Sequence, residues 1–287
     1  MQRVALGMWR AIVMLVLLAG APTAAEGTPP KRVVSMNLCT DQMAMLVASP
    51  GQLHSVSHLA VDPASSTLAS EAKGYAINHG LAEEIFLMQP DLVLAGTYTT
   101  RATVQLLRRL GIRVEEFAPE NSLDDIRANL RRLGEVLARR ERAAEIIAEL
   151  DRELAALASG TTPDASVATY YADSYTSGAG TLVDALITAS GLTNIAAKLG
   201  FTGTARLPLE LLIFAKPDIL VDGVEDYSAP ALAEANFIHP AYRDLARRGI
   251  HTAVPPKYTI CGGPFTAEAV RILRQTADGK MGGTGHE

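Results

Sequence analysis

Apolar positions along the chain fall into short continuous runs that alternate with longer segments of helical spacing. Two of the runs are nearly the same, since residues 90–96 read PDLVLAG and residues 217–223 read PDILVDG. In each, the proline ends a helical pattern, and the apolar residues after it are typical of a buried parallel strand. Strands that alternate with helices at this spacing predict a parallel sheet covered on both faces.

The same patterns give an approximate set of elements. The predicted strands are 32–36, 52–59, 91–95, 112–114, 166–171, 218–222 and 251–254. The predicted helices are 40–47, 80–89, 103–110, one that opens at Ser122, 139–158, 181–189, 209–216, 239–248 and 266–275.

A segment without strand patterns separates two regions of alternating strands and helices. Ser122, followed three residues later by Asp125, is typical of a helix N-terminus. Residues 139–158 predict a helix about 30 Å long. The prediction is therefore an α/β chain with an N-terminal lobe, a linking helix, a C-terminal lobe and a flexible tail, at 26–137, 138–160, 161–276 and 277–287.

The first 25 residues have the layout of a secretory signal peptide. Arg3 and Arg10 flank the start, residues 11–18 (AIVMLVLL) are an apolar run too short to span a bilayer, and small residues follow. Cleavage is predicted near Ala25, with an uncleaved membrane anchor as the alternative. No second long apolar run follows, and we expect a soluble protein exported to the periplasm.

Charge and cysteine content narrow the class of protein further. The formal net charge is −5, and it becomes −7 once a leader with two arginines and no acidic residue is removed. An acidic chain does not favour nucleic acid as a partner. In an exported protein the two cysteines, Cys39 and Cys261, are expected to form a disulfide, although two separate thiols fit the sequence equally well.

The repetition extends upstream of the two apolar runs. Glu83 lies seven residues before Pro90, and Glu210 lies seven residues before Pro217. Each glutamate is near the start of a predicted helix, where an acid interacts favourably with the helix dipole. Pro-Asp before an apolar run is common at helix-to-strand junctions. Two copies with a matching glutamate, on opposite sides of one long helix, nevertheless predict two related lobes.

In the order and spacing of these segments, the chain resembles the periplasmic substrate-binding proteins of iron-complex and cobalamin ABC importers. The resemblance covers nearly all of residues 31–275 and rests on RVVSMNLCTDQMAML, GLAEEIFLMQPDLVLAG, the long helix, TYYADSYTSGAGTLVDAL and LPLELLIFAKPDILVDG. It implies an α/β fold of two Rossmann-like lobes with parallel sheets joined by one long α-helix, and a ligand in the cleft between the lobes.

The resemblance also implies partners. Glu83 and Glu210 correspond to the surface glutamates that dock onto basic residues of the membrane permease dimer. We expect a monomeric binding protein, with no catalytic residues and no resident cofactor or metal, because its cargo is itself expected to be a metal chelate.

Candidate ligand contacts follow from the general rule that ligands of open parallel sheets bind outside the carboxyl ends of the strands. The loops at these ends carry tyrosines, whose apolar face and polar tip suit a bulky amphipathic ligand. The predicted ligand-binding residues are Asn37, Leu38, Cys39, His58, Thr97, Tyr98, Thr99, Arg101, Tyr175, Thr176, Arg206, Tyr258 and Cys261.

The predicted ligand is a ferric siderophore or a corrinoid such as cobalamin, between which these residues do not discriminate. Arg101 and Arg206 are the obvious cleft cations, too few to favour a highly anionic catecholate. One alternative is haem with an axial tyrosine, for which the candidates are Tyr98, Tyr175 and Tyr258.

A receptor for a bare metal ion and an enzyme are both less favoured. A bare zinc or manganese ion would need clustered ligands, and His54 and His58 lie in a strand-like stretch where they share no helical face. An α/β enzyme is disfavoured because residues 178–180 (GAG) lack the third glycine of a dinucleotide fingerprint. The sequence also contains no nucleophile elbow and no Walker loop.

Overall fold

The computed structural model describes residues 28–159, 164–222 and 232–283. The predicted signal peptide lies outside these residues. The described chain forms two lobes, each built on a parallel sheet, as the alternating pattern predicts. No helix within the described residues combines the length and the apolar character that crossing a membrane requires.

The elements are numbered in chain order. The strands are Val33–Ser35 (β1), Leu53–Ser57 (β2), Ala76–Asn78 (β3), Leu92–Gly96 (β4), Val114–Phe117 (β5), Ser166–Tyr170 (β6), Tyr175–Ser177 (β7), Thr193–Asn194 (β8), Thr204–Arg206 (β9), Ile219–Asp222 (β10) and Ile250–Thr252 (β11). The helices are Leu38–Val47 (α1), Ala69–Ala72 (α2), Ala82–Leu87 (α3), Arg101–Arg109 (α4), Leu123–Val136 (α5), Arg140–Ala158 (α6), Leu182–Ala189 (α7), Ile195–Lys198 (α8), Leu209–Ala215 (α9), Ala235–Ile238 (α10), Pro240–Arg248 (α11) and Thr266–Gly283 (α12).

The two sheets repeat one strand order. The first is β3-β2-β1-β4-β5 and the second is β8-β6-β10-β11, with every neighbouring pair parallel. β4 lies beside the first strand of its lobe, β1, and β10 lies beside the first strand of its lobe, β6. The two apolar repeats of the sequence are therefore equivalent central strands, which confirms the predicted relation between the lobes.

Both central strands are buried on two faces, which explains why their sequences are continuously apolar. In β4, Leu92 and Leu94 face a cluster with α1 and α5, while Val93 and Ala95 face α3 and α4. In β10, Ile219 and Val221 pack against α7 and α12, while Leu220 packs against α8, α9 and α11.

The aspartate of each Pro-Asp pair holds the start of the neighbouring strand. Asp91 accepts hydrogen bonds from the backbone N–H groups of Lys31 and Arg32, at 2.6 and 3.0 Å, immediately before β1. Asp218 accepts from the backbone N–H and the hydroxyl of Ser166, at 2.9 and 2.8 Å, at the start of β6. The repeated aspartate thus pairs backbone donors at the amino edge of each sheet.

The lobes share one continuous apolar core at their junction. Leu130 and Leu133 of α5, Leu150 of α6, Leu186 of α7 and Val270 of α12 belong to the same buried cluster as the first sheet. The linking helix α6 begins and ends within two residues of its predicted bounds. Ser122 caps α5 by accepting a hydrogen bond from the Asp125 N–H at 3.1 Å, as its sequence predicts.

The C-terminus differs from the prediction. A flexible tail is expected from residue 277, whereas α12 continues to Gly283. Ala277 is fully buried against the second sheet, so packing extends the helix beyond the point where the sequence pattern fades.

Candidate functional site

A disulfide brings the carboxyl edges of the two sheets together. Cys39, in α1 directly after β1, is bonded to Cys261, which follows β11, and their Cα atoms are 5.1 Å apart. The next residue, Gly262, donates its N–H to Oε2 of Glu120, beyond β5, at 3.2 Å. A Cβ on Gly262 would lie 2.5 Å from the Cβ of Glu120, so only glycine fits this approach. The segments that follow β1, β5 and β11 therefore meet at one place between the two sheets.

On the first lobe, the loop after β4 presents an aromatic side chain to solvent. The Thr99 N–H donates to the Gly96 carbonyl at 2.8 Å, and the Gly96 N–H donates to the Thr99 hydroxyl at 3.0 Å. This tight turn leaves Tyr98 88% exposed, with Thr97 and Arg101 exposed beside it. Three predicted ligand-binding residues therefore share this loop, with Arg101 at the start of α4 directly after it, and Thr99 is the one that shapes the turn.

A histidine pair occupies the same edge. The rings of His58, after β2, and His79, after β3, stack with centroids 5.4 Å apart. Glu84 of α3 accepts the His79 backbone N–H at 2.7 Å and lies 3.2 Å from its Nδ1, which fixes the ring. Within the three described ranges, no group of three or more His, Cys, Asp or Glu side chains is arranged to hold a metal ion.

On the second lobe, a small antiparallel pair of strands joins two predicted residues. Tyr175 of β7 and Arg206 of β9 are directly opposite each other. The Arg206 guanidinium lies 5.3 Å from the centroid of the Tyr175 ring, within the range of a cation–π contact. Both side chains are exposed. Lys257 lies at the same distance, 5.3 Å, from the ring of Tyr258.

An apolar cavity of ≈ 340 Å³ lies at the carboxyl edge of the second sheet. Its lining includes Tyr171, Val183, Asp222, Val254, Pro255 and Leu273. Burial raises the pKa of Tyr171, and hydrogen bonds with Ser177 and Thr169 oppose that rise. The volume is within the range of small-molecule sites. Sequence reasoning missed Tyr171 because its pattern places it at the end of a strand rather than in a loop.

Three predicted ligand contacts are core residues instead. Leu38 and Cys261 are 6% and 1% exposed. Thr176 is fully buried, and its hydroxyl donates to the Thr169 carbonyl at 2.7 Å. Asn37 is half-buried and caps α1, with Oδ1 accepting from the N–H groups of Cys39 and Thr40. Residues close to a strand end are thus held by the disulfide, a helix cap or core packing, and need not face a ligand.

Two buried carboxyl groups lie close to the disulfide. Asp41 is fully buried on α1, where Oδ2 accepts from the Ser57 N–H and hydroxyl, at 3.1 and 2.5 Å, and Oδ1 has no partner. Burial raises the pKa of Asp41 to about 7. Burial also raises the pKa of Glu120, against the opposing effect of the hydrogen bond from Asn129. Neither group was identified from the sequence, because a lone acid, whether in a helix as Asp41 is or in a loop as Glu120 is, carries no signal of its burial.

The two glutamates of the repeat lie at equivalent places. Glu83 and Glu210 are exposed, in the first turns of α3 and α9, the helices that precede the central strands β4 and β10.

The sequence matches a known family over most of its length. The family described as "Periplasmic binding protein" matches residues 33–225. A cobalamin-binding protein of Halobacterium salinarum is 29% identical over 211 residues, which is 72% of this chain and 57% of that protein. The chain thus spans little more than half the length of this curated relative.

Solved structures share the fold. A periplasmic heme-binding protein from a Roseiflexus species aligns with a TM-score of 0.68 and 24% identity, over 86% of this chain and 99% of that one. The periplasmic vitamin B12 binding protein of Vibrio cholerae aligns with a TM-score of 0.64 and 18% identity, over 87% of this chain and 97% of that one. At these identities the likeness establishes the arrangement of lobes and leaves the ligand undetermined.

Proposed function

The chain belongs to the periplasmic binding protein family, and on that premise we propose that it captures a metal chelate in the cleft between its lobes and delivers it to an ABC importer. The family consists of binding proteins, which agrees with the expectation that the chain is not an enzyme. Export to the periplasm, with cleavage of the leader near Ala25, is part of this proposal.

The observation that carries the proposal is the meeting of two carboxyl edges at the Cys39–Cys261 bond. Each lobe carries an exposed tyrosine, Tyr98 on the first and Tyr175 on the second, and we place the ligand between them. Aromatic faces contact a large planar or multi-ring ligand over a broad area, and the cations Arg101 and Arg206 can pair with its acidic substituents. This combination suits a siderophore, a corrinoid or a haem better than a small polar solute.

Cobalamin or another corrinoid is the first candidate among these, since the curated relative is described as cobalamin-binding. Haem is the second candidate, because the Tyr98 phenol is 88% exposed at the cleft edge and a phenolate can ligate ferric iron. The stacked pair His58 and His79 lies on the same edge and offers imidazole as another ligand for iron or cobalt.

Titration calorimetry of the mature protein tests the proposal. The ligands are cyanocobalamin, a ferric hydroxamate siderophore, a ferric catecholate siderophore and haemin. We expect saturable binding, at one molecule per chain, of one ligand class. A haem complex would show a tyrosinate or imidazole signature in its absorbance spectrum, and Tyr98→Phe would abolish the tyrosinate signature. Absence of binding across the panel would contradict the capture of a chelate.

Delivery is tested separately. We propose that Glu83 and Glu210 dock onto basic residues of the importer's permease dimer, with this chain acting as a monomer. The charge reversals Glu83→Arg and Glu210→Arg together should abolish uptake in cells while leaving ligand affinity unchanged. Loss of ligand affinity in the double variant would contradict a pure docking role.

A further inference from the structure

The two helices that carry Glu83 and Glu210 share a second feature. In each, the residue four positions after the glutamate is an apolar side chain left in solvent, since Leu87 is 79% exposed and Phe214 is 82% exposed. Glu83 and Leu87 both lie in α3, and Glu210 and Phe214 both lie in α9. Residues four apart are neighbours on a helix surface, so each helix presents a carboxylate and an apolar side chain next to each other.

Exposure alone would carry no weight, because single exposed apolar residues are normal in folded proteins. The distribution is what distinguishes these two. Twelve large apolar side chains are exposed in the described part of the chain, and only Tyr98 of the cleft is more exposed than Leu87 and Phe214. Four of the twelve lie in the short helices α3 and α9, namely Phe86, Leu87, Leu211 and Phe214.

The repetition between lobes is the second observation. α3 leads into β4 and α9 leads into β10, and these strands are equivalent in their sheets. Packing within a lobe does not require the exposed residue, because the helices already bury Ile85 and Leu212 on their inner faces. Each lobe therefore exposes an acidic and an apolar side chain at the same spacing. This repetition fits a two-fold symmetric partner, which offers the same binding surface to both lobes.

We propose that Glu83 with Leu87, and Glu210 with Phe214, form two matching docking patches, each of which takes a basic residue and an apolar recess on one half of a two-fold permease dimer. The inference rests on the proposed delivery function and adds an apolar anchor to the charged contact. The carboxylate orients the encounter, and the desolvated apolar side chain supplies most of the affinity.

The two patches are not identical, which predicts unequal contributions. Phe214 offers a larger apolar surface than Leu87, whereas Leu87 borders a groove of ≈ 350 Å³ lined with Phe86, Gln89, Pro90 and Ile112. We expect the Phe214 patch to insert a side chain into the permease. We expect the Leu87 patch both to insert Leu87 into the permease and to receive an apolar side chain of the permease in its groove.

Binding to the permease dimer tests the proposal directly. The probe is the importer permease whose deletion abolishes uptake of the ligand. The permease is reconstituted in lipid nanodiscs, and its Kd for each variant is measured by interferometry. Leu87→Ser and Phe214→Ser should each weaken binding at least about tenfold, and the double variant about a hundredfold if the sites are independent. Leu110→Ser and Ile238→Ser, at positions 46% and 64% exposed, are the matched controls and should bind like wild type.

Ligand affinity and thermal midpoint are measured for every variant and should not change. The apolar anchor would be refuted if Leu87→Ser and Phe214→Ser bound the permease as tightly as wild type while the double charge reversal lost binding. That result would leave the delivery function intact. Equal binding by wild type and the charge reversal would overturn the docking role of Glu83 and Glu210. Absence of permease binding by the wild-type protein would overturn the delivery function itself. Weakened ligand binding in the serine variants would assign Leu87 and Phe214 to the fold and refute the docking patches.

Discussion

Asp218 receives two hydrogen bonds from Ser166, one from the backbone N–H at 2.9 Å and one from the hydroxyl at 2.8 Å. The Ser166 hydroxyl in turn accepts from the Asp218 N–H at 3.1 Å. This closed exchange ties the starts of two adjacent parallel strands, β6 and β10, at the amino edge of the second sheet.

Replacement of this aspartate should therefore lower stability without touching the cleft. We expect Asp218→Ala to reduce the free energy of unfolding by about 1–3 kcal/mol, since it removes the acceptor of the Ser166 backbone N–H and of the Ser166 hydroxyl. Asp218→Asn keeps one acceptor oxygen and should lose less. Urea denaturation measures both, and equal stability of the alanine variant and wild type would contradict this role.

The Tyr175–Arg206 pair leads to a prediction about ligand affinity. Arg206→Ala removes the cation 5.3 Å from the Tyr175 ring and one of the positive charges at the cleft. We expect ligand affinity to fall about tenfold or more, which corresponds to about 1.4 kcal/mol. Calorimetry with the ligand identified from the panel measures the effect. Arg152→Ala, at an exposed position on α6, is the control and should bind like wild type.

Asp41 predicts a pH dependence of stability. Its pKa in the folded protein is raised to about 7 from an ordinary value of 3.8, because the carboxyl group is buried. The folded state then binds more protons than the unfolded state between these values. Asp41 therefore contributes stability that is fully present below about pH 4 and is lost as pH rises through about 7.

Asp41→Asn should remove this dependence. The difference in unfolding free energy between variant and wild type should rise with pH from 4 to 7, at up to about 1.4 kcal/mol per pH unit, and level off above pH 7. Denaturant titrations at pH 4 to 8 measure it. Glu149→Gln, at an exposed position on α6, should show no such slope. A flat difference for Asp41→Asn would mean that the carboxyl titrates normally.

The contact between Glu120 and Gly262 predicts an intolerance of side chains. In Gly262→Ala, the new methyl group would lie 2.5 Å from the Glu120 Cβ and 2.6 Å from Ile126 Cγ1, so one of the two segments must move. We expect a loss of about 1–3 kcal/mol, typical of overpacking, visible as a lower thermal midpoint. Gly279→Ala on α12 meets no atom within 4 Å and should be neutral or stabilising.

The disulfide should contribute substantially to stability. It closes a loop with a sequence separation of 222 residues, for which the chain-entropy description gives about 5 kcal/mol. Cys39→Ser with Cys261→Ser should lower the denaturation midpoint, and a reductant should lower the wild-type midpoint but not that of the double variant. An unchanged wild-type midpoint under complete reduction would contradict the prediction.

Sequence reasoning located β4 and β10 because, at each, a proline that ends a helix is followed by a continuous apolar run. It missed β7 and β9, since YTS and TAR are three-residue strands with no apolar period. Thr176 was assigned to the ligand for this reason, whereas pairing with β9 places Tyr175 outside and Thr176 inside. His79 was missed because it follows another three-residue strand, β3.

Exposure was also invisible in the sequence. The patterns predict helices at 80–89 and 209–216 without predicting that Leu87 and Phe214 are exposed, and the packed structure shows that α3 and α9 turn these two side chains away from the sheets. Helices of six and seven residues offer too few positions for a periodic pattern to separate an inner face from an outer one.

The Cys39–Cys261 bond also sets an order of events during biosynthesis. The second thiol is made 222 residues after the first, a delay of roughly 10 to 45 s at the usual rate of translation. For that interval Cys39 belongs to a first lobe whose partner cysteine does not yet exist. Closure of the bond consequently marks a chain that has been synthesised through β11, and a product truncated before Cys261 keeps Cys39 as an unpaired thiol.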